Sequence, residues 1–189
     1  MGGLIGGVVG LIIVGIMALV RQSKADKHKR AMAVAVTSGG AEGRKAIDQR
    51  LPARRRLFTD KDSEDVAERF AALAALGETD AIATEMAALE GPPMIVANAR
   101  VLGRVAVASA GRNPGAELAA FDAEHAALAA SAANKLSLRA LAAWRPVLAA
   151  LAGKNTPTPS ERAELERFQP NQTIRLIIEK AIGSGTNPA

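Results

Sequence analysis

Residues 59–93 read TDKDSEDVAERFAALAALGETDAIATEMAALEGPP, and this stretch decides the fold class. Thr59, Asp60, Asp62 and Ser63 supply side-chain oxygens for the free amides of a helix start. Glu64, Asp65 and Glu68 follow where the positive helix end favours acids. Val66, Phe70, Leu73 and Ala74 then recur at spacings of four, three and one, and Leu76 closes the apolar face of a single helix. Gly77-Glu78-Thr79-Asp80 breaks that helix, Ala81 to Leu89 resumes it, and Gly91-Pro92-Pro93 stops it again. The pattern is helix, tight turn, helix.

The same reading extends downstream. Helices are expected over about 94–110, 116–133 and 136–151, the last bent at Pro146, with a stop at Gly111-Arg112-Asn113-Pro114-Gly115 between the first two. Thr158-Pro159-Ser160-Glu161 is a capping box with proline at the first helical position, which predicts another start there. That helix ends before Pro170, and a final one, with Ile174, Leu176, Ile177, Ile178 and Ile182, runs from about Gln172 to Gly183. Its wide apolar surface either closes the end of the domain or docks a partner. Trp144, with Leu141, Val147 and Leu148 at helical spacing, is placed in the core. The 49% hydrophobic fraction comes largely from alanine, the residue with the lowest cost in a helix, which favours packed helices over sheets. The fold class is all-α.

Over about residues 63–93 the chain resembles one unit of a tetratricopeptide repeat. Leu76-Gly77 stands at the turn between helices, Ala81 and Ala88 at the small packing positions of the second helix, and Pro93 closes the unit. The chain departs from that pattern in a turn one residue short, in Phe70 where the family prefers a small residue, and in Glu85 where it prefers an aromatic. Later units, around 111–128 and 141–168, are weaker. The resemblance implies a scaffold that binds protein partners, built of antiparallel helix pairs, with no catalysis. An unrelated helical bundle is the alternative.

Upstream, residues 3–20 read GLIGGVVGLIIVGIMALV, without a charged side chain. At about 1.5 Å per residue this run spans roughly 27 Å, close to the ~30 Å hydrocarbon core of a bilayer. It is read as a single transmembrane anchor rather than a cleaved signal, because the charges follow the run and no small-x-small site closes it. Gly3, Gly6, Gly7 and Gly10, with Gly2 and Gly15, fall at overlapping spacings of four. That arrangement opens a groove for close approach of another helix, from a second copy or from another subunit of a larger complex.

Charge is distributed unevenly. Residues 21–56 carry eleven cations and three acids, a net +8, and the remainder from Leu57 onward carries −3. A basic neck therefore joins the anchor to a mildly acidic domain. Positive residues beside a membrane helix stay on the cytoplasmic side, so the N-terminus is expected outside and the domain in the cytoplasm of a bacterial inner membrane. Arg21, Lys24, Lys27, Lys29 and Arg30 lie next to the bilayer. Arg54, Arg55 and Arg56 form a second cluster able to meet lipid headgroups or an acidic partner. No aromatic interleaves with these charges as stacking on nucleic acid requires, which argues against a nucleic-acid partner. The expected organisation is an anchor at 1–20, a neck at 21–58 with a joint at 38–40 and a short helix up to Arg50, a helical domain at 59–183, and a flexible tail at 184–189.

No phosphate loop, nucleophile elbow or metal-ligand cluster is present, and the absence of cysteine excludes thiol chemistry. Asp122 and His125 share a helix face but two ligands make no metal site, and Asn171-Gln172-Thr173 reads as a helix cap rather than a glycosylation acceptor. No cofactor and no enzymatic activity are expected. The function expected is a membrane-anchored helical scaffold or accessory subunit of a bacterial complex. The alternative is peripheral binding of anionic lipid or nucleic acid through the neck.

Overall fold

The computed structural model describes residues 39–131 and 135–168, and all regular structure there is helical. The chain divides into two compact units at Ala46/Ile47, and the architecture that follows is that of the second. Helix α1 spans Gly40–Arg50 and runs across the division; α2 is Asp60–Ala75, α3 Thr79–Ala87, α4 Pro93–Ser109 and α5 Pro114–Ser131. The short helices α6 (Lys135–Ala142), α7 (Arg145–Leu151) and α8 (Pro159–Phe168) complete the order.

The local start signals act as their chemistry requires. Thr59 caps α2: its hydroxyl accepts from the Asp62 amide while the Asp62 carboxylate accepts from the Thr59 amide, a reciprocal capping box. Thr158 and Glu161 make the same exchange at α8, at 3.3 and 2.8 Å. The apolar stripe of α2 is buried at Val66, Phe70 and Leu73. The expected helix over 136–151 is two helices. Pro146 lies in the first turn of α7, because proline has no amide to donate to the preceding turn, and Ala143 and Trp144 form the break.

Helix α4, PMIVANARVLGRVAVAS, is apolar nearly all round, and such a helix belongs inside. It packs against α2, α3, α5, α6 and α7. Ala97, Val101, Val105 and Ala108 face a core completed by Leu118 and Phe121 of α5, Leu141 of α6, Val147 and Leu148 of α7, Leu165 of α8, and Trp144. On its other side Gly103 lets α2 and α3 close in. A Cβ there would lie 2.3 Å from the Met86 sulfur and 3.0 Å from a Phe70 ring carbon. Burying each large side chain of this kind is worth about 1.5–3 kcal/mol.

Among the described residues the only β pairing is one parallel bridge between Arg56 and Glu90. No helix among them is long and apolar enough to cross a membrane. The anchor expected at residues 3–20, the glycines Gly3, Gly6, Gly7 and Gly10, the neck cations from Arg21 to Arg30 and the helix expected at 172–183 lie outside the described residues.

Candidate functional site

The segment that joins α1 to α2 contains the described part of the expected basic cluster, and the structure separates its three arginines. Arg54 turns inward to the start of α2, where it pairs with Asp62 and, at 3.0 Å, with Asp65. Its charge is therefore used within the domain. Arg56 reaches Glu90 at 3.6 Å, with both side chains more than two-thirds exposed, a pairing of little energetic weight in water. Arg55 is exposed, and no ion pair among the described residues involves it.

The backbone of this segment is held firmly. The Leu57 amide donates to the Glu90 carbonyl at 2.9 Å, the Glu90 amide donates to the Arg55 carbonyl at 2.7 Å, and the Phe58 amide donates to the Asp62 carboxylate at 3.0 Å. Gly91 makes the close approach possible. At a φ of 148° it holds a conformation that side chains rarely adopt, and a Cβ there would stand 2.3 Å from the Leu57 carbonyl oxygen. Side chains alternate along an extended segment. Leu57 is accordingly fully buried, while Arg56 and Phe58 both emerge, Phe58 with 70% of its surface exposed.

A second polar constellation lies inside the unit. The Arg69 side chain, only 2% exposed, forks onto Glu85 with two contacts of 2.7 Å, reaches Asp48 at 2.8 Å and donates to the Leu51 carbonyl at 2.6 Å. It joins the end of α1 and the chain just after it to α2 and α3. The Glu85 hydrogen bond is the main cause that raises the guanidinium's pKa above its ordinary value, burial opposing it. This arginine escaped the sequence reading. Its signal was present, because Arg69 stands three residues after Val66 and four before Leu73, on the buried face of α2.

Helices α4 and α5 are joined by Arg100 to Glu124 at 3.0 Å, and by Arg104 to Glu124 and Glu117 at 3.1 and 3.4 Å. The Arg104 Nε and the His125 Nε2 are buried without a hydrogen-bond partner. Asp122 and His125, expected to share a face, have separate roles: Asp122 binds Arg145 at 2.8 Å, and the His125 ring stacks on Phe121 with centroids 6.0 Å apart. Among the described residues no cluster of three or more acid or histidine ligands could hold a metal ion. The outer face of α5 carries Ala116, Ala119, Ala123, Ala126, Ala127 and Ala130, all exposed.

No protein-family model, curated protein or solved structure matches this chain. The reading of function rests on the sequence and the geometry just described. The extended segment presents Arg55, Arg56 and Phe58 to solvent.

Proposed function

We propose that this chain is a membrane-anchored helical scaffold, an accessory subunit that binds other proteins within a larger bacterial membrane complex. One observation carries the reading: a single chain joins an uncharged 18-residue run and a +8 neck to a unit whose helices bury their own apolar faces. In this reading residues 3–20 cross the inner membrane with the N-terminus outside and the helical unit in the cytoplasm. The glycine groove of Gly3, Gly6, Gly7 and Gly10 receives a helix of another subunit or of a second copy. The unit performs no catalysis and takes no cofactor. The helix–turn–helix of α2 and α3, with Leu76-Gly77 at its turn, supports a tetratricopeptide-like surface for a protein partner.

Purification of the full chain from bacterial membranes in mild detergent tests the reading. A partner should co-elute in fixed stoichiometry, and Gly6→Ile with Gly10→Ile should strip that partner while leaving the protein in the membrane fraction. A protein that elutes alone, or that is recovered without detergent, would overturn it.

A further inference from the structure

The geometry points to a second contact with the bilayer: we propose that Arg56 and Phe58, with the exposed Arg55 beside them in the chain, seat the segment between α1 and α2 on an anionic lipid surface. The inference rests on the anchored reading above and adds to it a fixed face of the helical unit.

Three observations favour lipid. The first is the pairing of chemistries on one side of the chain. Leu57 is buried completely, so the alternation of an extended backbone brings a guanidinium and an aromatic ring out together at 56 and 58. A bilayer interface accommodates that combination, with the ring at the boundary of headgroup and acyl chain and the cation on a phosphate. The second is rigidity. The bonds from the Leu57 and Phe58 amides to Glu90 and Asp62 hold the backbone that carries the exposed ring, so its presentation requires no ordering of the main chain.

The third is charge. From Arg50 to Phe58 there are four arginines and no acid. Arg54 is consumed by Asp62 and Asp65, which leaves Arg55 free and Arg56 in a loose, solvated pair that a phosphate can replace. One ring and two cations bind a membrane weakly by themselves. Behind an anchor in the same chain the contact becomes intramolecular, and a weak contact then suffices.

The chain has no cysteine, so a single introduced thiol labels uniquely. The full chain carrying Phe58→Cys with a nitroxide label is reconstituted into nanodiscs of phosphatidylcholine alone or mixed with phosphatidylglycerol. Collision with oxygen, which concentrates in lipid, is compared with collision with a water-soluble nickel chelate. Leu136→Cys, at the other large apolar side chain that is strongly exposed among the described residues, serves as the reference.

In mixed discs the label at 58 should favour oxygen while the label at 136 favours nickel. Arg55→Gln with Arg56→Gln should lower the seated fraction at 58, with its equilibrium constant falling about thirtyfold, the effect of two arginines beside an anionic leaflet. A label at 58 that reads like the one at 136 in both lipids overturns the inference alone. Shielding from both reagents overturns it in favour of a protein contact. Failure of the chain to enter discs overturns the anchored reading as well.

Discussion

Arg69 shows what a single buried cation does in an alanine-rich unit. Its guanidinium satisfies two carboxylates and a carbonyl that belong to two separate parts of the chain, 48–51 and Glu85. Arg69→Met would remove the buried cation that forks onto Glu85 and reaches Asp48, and should lower unfolding free energy in urea titrations by about 3 kcal/mol. Arg69→Lys should recover only part of this, because an ammonium cannot match the fork of a carboxylate. A Met variant as stable as the parent would show that the cluster contributes nothing. Asp62 makes a prediction in pH. Hydrogen bonds from the Phe58 amide first, then from the Thr59 hydroxyl, hold its carboxyl below the ordinary aspartate value of 3.8. The folded state therefore favours the ionised form, and that stability is present above 3.8 and lost as pH falls through the lowered value. Asp62→Asn should melt at a lower temperature than the parent at neutral pH. The gap should narrow below pH 3.8 and close in stronger acid, and circular-dichroism melts at stepped pH would expose a gap that ignores pH. The Thr59 cap was legible in the sequence because capping is local. The partner of Arg54 was not, since eight residues and a change of backbone direction separate it from Asp62.

At the scale of elements, helix starts could be read from local chemistry, as α2 and α8 show, whereas α3 begins at Thr79, inside the break expected at 77–80. The break between α6 and α7 was harder to read. A proline in a helical pattern can bend a helix or begin a new one, and the burial of Trp144 beside the break is a tertiary fact. Phe58 went unread for a similar reason: one aromatic after an arginine cluster looks like the edge of a core until its neighbour Leu57 is seen to take the buried place. The contact of α4 with α2 and α3 depends on the missing side chain at 103. Alanine is the better helix former by about 1 kcal/mol. In Gly103→Ala that gain is outweighed by the sulfur 2.3 Å from the new methyl group, and the variant should lose about 1–2 kcal/mol. Met86→Ala makes room, so the double variant should be more stable than the sum of the two single losses allows. Strict additivity in denaturant titrations would mean that the two positions do not meet.

At the scale of the whole molecule, charge and hydropathy change in blocks along the sequence. The uncharged run, the basic neck and the acidic remainder succeed one another. What the sequence could not show was how much of the basic surface is spent internally. Ion pairs within the unit take Arg69, Arg100 and Arg104, and in part Arg54, so formal charge overstates what these positions offer outside. The double-sided burial of α4 bears on cooperativity. One helix serves as the wall of two packed halves, so neither half can open without unmaking the surface of the other. A local injury on the α2 and α3 side is therefore felt on the α5 and α7 side as well, and the described helices should melt as one body.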